Sequence, residues 1–175
     1  MPLTAWRDLM SAEATRVLRA PTADDMRALG AAVGSACAGG DVIVLSGDLG
    51  AGKTTFTQGL GRGLGIEERV TSPTFVIARA HAHPAAGADL VHVDAYRIGS
   101  AIELDDLDLD TDLSSSVVVV EWGGGLAERL SAQRLDVVIL RGADEMDETR
   151  EVRVTGHGAR WVQSLDAGLL DRWLP

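Results

Sequence analysis

The sequence predicts an α/β protein built on a layered sheet, mostly parallel with some antiparallel strands, with helices on both faces. Three observations predict it. Val42-Ile43-Val44-Leu45-Ser46 and Ser116-Val117-Val118-Val119-Val120 are short, unbroken apolar runs, the signature of parallel strands buried on both sides. Segments of helical character separate such runs, the alternation that builds helix-covered sheets. Two hairpin-like pairs, over 75–94 and 137–155, suggest some antiparallel strands.

The elements follow in order. Residues 1–13 read as a loosely attached extension of a single domain spanning 1–175, and Thr15–Ala20 as a short first strand. Thr22 is a good N-cap, with Asp24 and Asp25 in the first turn of a helix reaching about Ala38. Gly39-Gly40 ends it, and the Val42–Ser46 strand follows. A helix is expected over Thr54–Leu64. Val70-Thr71-Ser72-Pro73-Thr74 is a rigid extended link into a strand at Phe75–Ala80, because proline restricts both itself and its predecessor. His81–Gly87 reads as a turn, Leu90–Asp94 as a strand, and Ala101–Leu107 as a short acidic helix. After the Ser116–Val120 strand, closed by Glu121, come strands at Val137–Arg141 and Glu151–Thr155 around a polar turn, Gly142–Thr149. A last helix is expected from Ala159 to Trp173.

Composition narrows the function. The 175 residues are 46% hydrophobic, enough for one domain with a real core and too apolar for disorder. No apolar stretch approaches the roughly 18 residues of a membrane span, and the first sixteen residues lack a signal-peptide pattern. Cys37 is the only cysteine, which excludes an intrachain disulfide and fits a reducing cytoplasmic location; its small neighbours suggest packing. Acidic residues outnumber basic ones 26 to 16, giving a net charge of −10. That balance disfavours direct nucleic-acid binding and favours basic protein partners or a cation carried with a nucleotide.

The most informative segment is Gly47-Asp48-Leu49-Gly50-Ala51-Gly52-Lys53-Thr54-Thr55, the spacing G-x-x-x-x-G-K-[ST]. In this pattern backbone amides hold the α and β phosphates of a nucleotide, the lysine reaches β and γ, and the first Thr hydroxyl meets Mg²⁺. Of the 16 lysine and arginine residues, Lys53 alone is lysine. A compact ammonium on a flexible stem fits between phosphate oxygens under a tight loop, where a planar guanidinium would not. The loop follows a strand and feeds a helix N-terminus, whose dipole attracts anions.

In open α/β sheets ligands bind beyond the carboxyl ends of strands. Two further strands end there in acids: Val91-His92-Val93-Asp94 and Val117–Glu121. Asp94 and Glu121 compete for metal contact and for orienting the attacking water. Glu121, on the more uniformly apolar strand, is placed beside the ion, with Asp94 holding a metal-bound water or orienting the loop. Thr71, Ser72 and Thr74 either form a segment that orders over the γ-phosphate or simply cap a turn. Trp122 is either core or a ring near the nucleotide. The His81/His83 and His92/Asp94 pairs lack the ligands of a zinc site and read as solvated strand residues. The acidic run 103–112 fails as a calcium loop, since Leu113 and Val119 stand where Gly and Glu are required.

Four stretches together resemble one family, the bacterial P-loop ATPase TsaE of transfer-RNA threonylcarbamoyladenosine biosynthesis. They are 45–56 around the phosphate loop, Thr71-Ser72-Pro73-Thr74-Phe75, His92-Val93-Asp94-Ala95-Tyr96-Arg97 and Val120-Glu121-Trp122-Gly123, in matching order across Thr22–Trp161. Ala95, where the family usually has a larger apolar residue, and the N-terminal extension depart from the pattern. The resemblance implies a P-loop nucleotide hydrolase-like fold, weak ATP hydrolysis to ADP with Mg²⁺, and two partners: a threonylcarbamoyl transferase (TsaD-like) and its paralogue (TsaB-like). Transfer RNA would be met only through them. It also implies phosphate and Mg²⁺ contact by Lys53 and Thr54, catalytic or metal roles for Glu121 and Asp94, a switch at Thr71, and Trp122 near the nucleotide. A small-molecule kinase on the same fold, and a nucleotide-gated binding module without turnover, remain alternatives. The kinase reading lacks an arginine-rich lid, with only Arg97 and Arg129 nearby.

Overall fold

The computed structural model describes residues 12–73, 76–97, 113–122, 131–142 and 147–175. Seven strands among them form one sheet: β1 (Glu13–Ala20), β2 (Val42–Ser46), β3 (Ala78–His81), β4 (Asp89–Asp94), β5 (Ser116–Glu121), β6 (Arg134–Arg141) and β7 (Arg150–His157). Their spatial order is β1-β7-β6-β2-β5-β4-β3. The neighbours β6, β2, β5 and β4 are parallel, while β3 pairs antiparallel to β4 and β7 antiparallel to both β6 and β1. Five of the seven strands therefore point one way, the mostly parallel sheet that the sequence predicts.

The described helices are α1 (Ala23–Ala36), α2 (Lys53–Leu64) and α3 (Ala159–Asp166). Thr22 caps α1 with a reciprocal box: its Oγ1 accepts from Asp25 N, and Asp25 accepts from Thr22 N. Met26, Leu29 and Val33 of α1, Phe56 and Leu60 of α2, and Trp161 and Leu165 of α3 share one core cluster with Ile43, Leu45, Val119, Val137 and Val154 of the sheet. The alternate residues Val42, Val44, Val91, Val93, Val118 and Val120 form a second buried cluster on the other face. Burial on both faces explains why β2 and β5 read as unbroken apolar runs. The acidic helix expected at Ala101–Leu107 lies outside the described residues, as do residues 1–11 of the expected extension.

Helix α2 is locked to α1 by a glycine seam. A Cβ on Gly30 would lie 2.2 Å from Phe56 O and one on Gly34 2.1 Å from Leu60 O. Reciprocally, a Cβ on Gly59 or Gly63 would lie 2.0 Å from Arg27 O or Ala31 O. Without side chains at the crossing, backbone meets backbone, and the helix carrying Lys53 and Thr54 is fixed in position.

Boundaries depart from expectation in informative places. β1 begins at Glu13, inside the expected extension, because it pairs with β7 along its whole length. β3 begins at Ala78, three residues after the predicted Phe75: Val76 N and Ile77 N both donate to Pro73 O, closing a turn, and Ile77 sits at φ 69°. The N–H groups of Val76 and Ile77 are committed to that turn, and the regular ladder starts at Ala78. The last helix stops at Asp166, well before the predicted Trp173. Gly168 at φ 86° takes the left-handed position, and Leu169 N returns to Ser164 O, a C-cap that leaves only a 3-10 turn at Asp171–Trp173.

Candidate functional site

The loop between β2 and α2 is built by its glycines. Gly47, Gly50 and Gly52 have φ of 148°, 76° and 113°, and a Cβ on Gly47 would lie 2.5 Å from Ile139 O of β6. Only glycine fits that backbone and that approach. Ala51 is buried and Ala51 N donates to Asp48 O, whereas Leu49 is 86% exposed at the tip. The loop ends in the first turn of α2, so its unpaired amides and the helix dipole converge beside Lys53, Thr54 and Thr55.

Lys53 is buried, and its Nζ donates to Gly47 O at 2.7 Å and Asp48 O at 3.0 Å. Burial holds its ammonium below the ordinary lysine range, offset in part by the charges of Glu121, Asp94 and Asp48. The Trp122 ring lies 3.8 Å from Nζ and meets Tyr96 edge-on at 5.4 Å. Trp122 has φ 60°, uncommon for a bulky residue, with its N–H held by Leu45 O. That left-handed kink directly after β5 turns the indole over the lysine, the kind of strain found at functional sites. Trp122 is thus neither plain core nor remote.

The two acids predicted from strand ends are neighbours, since Asp94 and Glu121 are directly paired across β4 and β5. Both are buried. Glu121 Oε1 accepts from Thr54 Oγ1 at 3.1 Å and lies 2.9 Å from His92 Nε2; Asp94 Oδ1 accepts from Tyr96 N at 3.0 Å. Thr54 and Glu121 therefore stand together at the start of α2, and their hard oxygens suit Mg²⁺, which takes one or two carboxylates beside substrate phosphate. Among the described residues no group of three or more His, Cys, Asp and Glu is arranged to hold a metal on its own.

Thr71 sits elsewhere in the hydrogen-bond pattern. Its Oγ1 accepts from Arg79 of β3 at 2.8 Å, while Gln58 of α2 donates to Val70 O at 3.3 Å. The segment before Pro73 is thereby fastened between α2 and β3. Thr74 and Gly123 lie outside the described residues, as does Arg129.

Three features escaped the sequence reading. His81 and His92 are fully buried, correcting the expectation of solvated strand residues; His81 bonds Glu68 through Nδ1, and His92 bonds Glu121. The alternation of His92 with Asp94 along β4 was the available signal, for it puts both on the face of Glu121. Arg150, at the start of β7, donates from Nε to Ala51 O of the loop at 3.2 Å, and from Nη1 to the carbonyls of Asp147, Glu148 and Thr149. A cavity of about 180 Å³ adjoins the loop, lined by Thr22, Met26, Gly50, Gly52, Thr55, Glu148 and Arg150.

The family model described as threonylcarbamoyl adenosine biosynthesis protein TsaE matches residues 20–152. A tRNA threonylcarbamoyladenosine biosynthesis protein TsaE of Streptomyces coelicolor is 55% identical over 139 residues, covering 78% of this chain and 94% of that protein. The protein of the same description from Bacillus subtilis is 43% identical over 123 residues, covering 70% of this chain and 73% of its own length. The crystal structure of Bacillus subtilis YdiB superposes with a TM-score of 0.72 at 32% identity, covering 92% of this chain and 97% of that one. With the family model matched from the end of β1 into β7, through the loop and both acids, this chain belongs to the TsaE family of threonylcarbamoyladenosine biosynthesis proteins.

Proposed function

We propose that the chain binds ATP with Mg²⁺ at Gly47–Thr55 and hydrolyses it slowly to ADP, serving the threonylcarbamoyladenosine modification of transfer RNA. The observation that carries the reading is the convergence of Lys53, Thr54 and Glu121 at one end of the sheet.

Loop amides receive the phosphates, and Lys53 exchanges Gly47 O, Asp48 O and the Trp122 face for β and γ oxygens. Its present partners are two neutral carbonyls and a ring, which a phosphate oxyanion outcompetes as a charge-assisted acceptor. The Thr54 hydroxyl spends its proton on Glu121, which leaves its lone pairs for the ion. Mg²⁺, when bound, neutralises charge on the β and γ oxygens. Glu121 is buried and already polarised by two donors, so it holds its place while water is oriented; Asp94, directly beside it, positions a further water or the loop. The cavity next to the loop takes part of the nucleoside, with Arg150 keeping the loop backbone in register.

Partners complete the account. A threonylcarbamoyl transferase and its paralogue would dock in the ATP-bound state and be released or reset by hydrolysis, in the cytoplasm. The net charge of −10 supports contact with transfer RNA through those proteins rather than directly. The test is to co-purify the chain with its partners, with and without ATP, and to measure ADP release for the wild type, Lys53→Ala and Glu121→Ala. ATP-dependent co-elution and loss of turnover in both variants are expected. Unchanged hydrolysis in Glu121→Ala would overturn its catalytic role, and a phosphorylated small-molecule product would favour a kinase.

A further inference from the structure

The geometry points to His92 as a positioning residue that fixes the rotamer of Glu121, an inference that rests on the nucleotide reading above. His92 is fully buried on β4, on the same sheet face as Glu121 of the adjacent β5. Its row partner is Val119, so the imidazole reaches diagonally by two residues along β5 to bring Nε2 within 2.9 Å of Glu121 Oε1. A carboxylate only accepts, so Nε2 carries the proton in this contact. Among the described residues Nδ1 is buried without a hydrogen-bond partner. The contact thus calls for a proton on Nε2 of the ring. An apolar side chain of similar size would leave no unpaired nitrogen in the core, so what the imidazole contributes is the N–H aimed at Glu121.

That contribution is directional. Both described hydrogen bonds of Glu121, from Thr54 and from His92, fall on Oε1. Two donors on one oxygen, approaching from α2 and from β4, pin the carboxylate and leave Oε2 for the ion or for water. Without His92 the carboxylate keeps, among the described residues, the Thr54 hydroxyl alone, the very group whose oxygen must also meet the ion. Partners of this kind change metal affinity or activity by about 10- to 100-fold.

The experiment compares wild type, His92→Leu, His92→Gln and Glu121→Gln by calorimetric Mg²⁺ titration of the ATP-bound protein, and by ADP formation in a single turnover. The glutamine carboxamide places an N–H near the position of Nε2. His92→Leu should weaken Mg²⁺ binding and slow ADP formation about 10- to 100-fold, with affinity for magnesium-free ATP unchanged, and His92→Gln should recover most of both. If Glu121→Gln is impaired while His92→Leu matches wild type, or if glutamine and leucine are equally impaired, the positioning role is wrong. If Glu121→Gln itself behaves as wild type, the role given to Glu121 under the proposed function fails, and the positioning role with it. Nitrogen-15 spectra of the unsubstituted protein add a readout independent of folding in the variants: an Nε2–H ring for His92 is expected, and an Nδ1–H ring overturns the proposal.

Discussion

Replacing Gly59 with alanine adds one methyl group far from any phosphate, yet it should weaken both the fold and the site. The new Cβ would lie 2.0 Å from Arg27 O, 2.7 Å from Arg27 C and 2.8 Å from Arg27 Cα. An ordinary carbon–oxygen contact needs about 3.3 Å, so α1 and α2 must separate by roughly 1.3 Å. All three obstructing atoms are backbone, and no side chain can swing aside to relieve them. Alanine gains about 1 kcal/mol in helix propensity, while overpacking costs of order 1–3 kcal/mol, more where backbone must move. Parting the helices also loosens their shared core around Leu29, Val33, Phe56 and Leu60. A net loss of about 2 kcal/mol is expected, read as a lower urea midpoint at unchanged slope. Since α2 begins at Lys53, the displacement should also weaken ATP binding about tenfold. Gly142→Ala is the control, because among the described residues its Cβ would meet nothing nearer than Asp147 Oδ2 at 3.9 Å. A wild-type urea midpoint and ATP affinity in Gly59→Ala would refute the seam as the anchor of the phosphate loop.

Three further outcomes follow from named contacts. Lys53→Ala should cost about 2–3 kcal/mol of ATP affinity, roughly 30- to 150-fold by calorimetry, and unchanged affinity would contradict the phosphate contact. As the only lysine, Lys53 can be followed by amine acylation and mass spectrometry across pH. Its reactivity should reach half-maximum below 10.5, because burial disfavours the ammonium. The sign for stability follows: between the lowered folded value and 10.5 the unfolded chain binds more protons, so this residue's contribution rises with pH across that window. A midpoint at or above 10.5 contradicts this. Burial first, and then the charge of Asp41, push the Cys37 thiol far above its ordinary value. It should therefore resist thiol reagents at pH 8 until the protein is denatured; rapid labelling of the native state would disprove this packing.

Much of this was legible because local chemistry and global fold agree. The loop spacing, the Thr22 cap and the aliphatic runs of β2 and β5 each demand one structure, and the sheet places Asp94 beside Glu121 from strand-end position alone. The misses come from tertiary context. Val76 and Ile77 have strand-like character, but the turn closed on Pro73 O overrides it. Gly168 interrupts a helical pattern that otherwise runs to Trp173, and a lone glycine in a helix does not announce which side of it the helix ends. Histidines on a period-two strand look alike whether wet or buried, so only the packing separates His92 from a surface residue. The left-handed Trp122 has no sequence signature, since bulky residues rarely adopt that backbone. The reciprocal glycines of α1 and α2 are visible in the sequence, but their facing is set by how the helices cross.

A crystal structure grown with Mg²⁺ and a non-hydrolysable ATP analogue tests the central claim most directly. The β and γ phosphoryl oxygens should lie within hydrogen-bonding distance of Lys53 Nζ and the amides of 48–54, with the ion at Thr54 Oγ1 and beside Glu121. An analogue bound elsewhere, or a loop left empty at saturating ligand, would contradict the account.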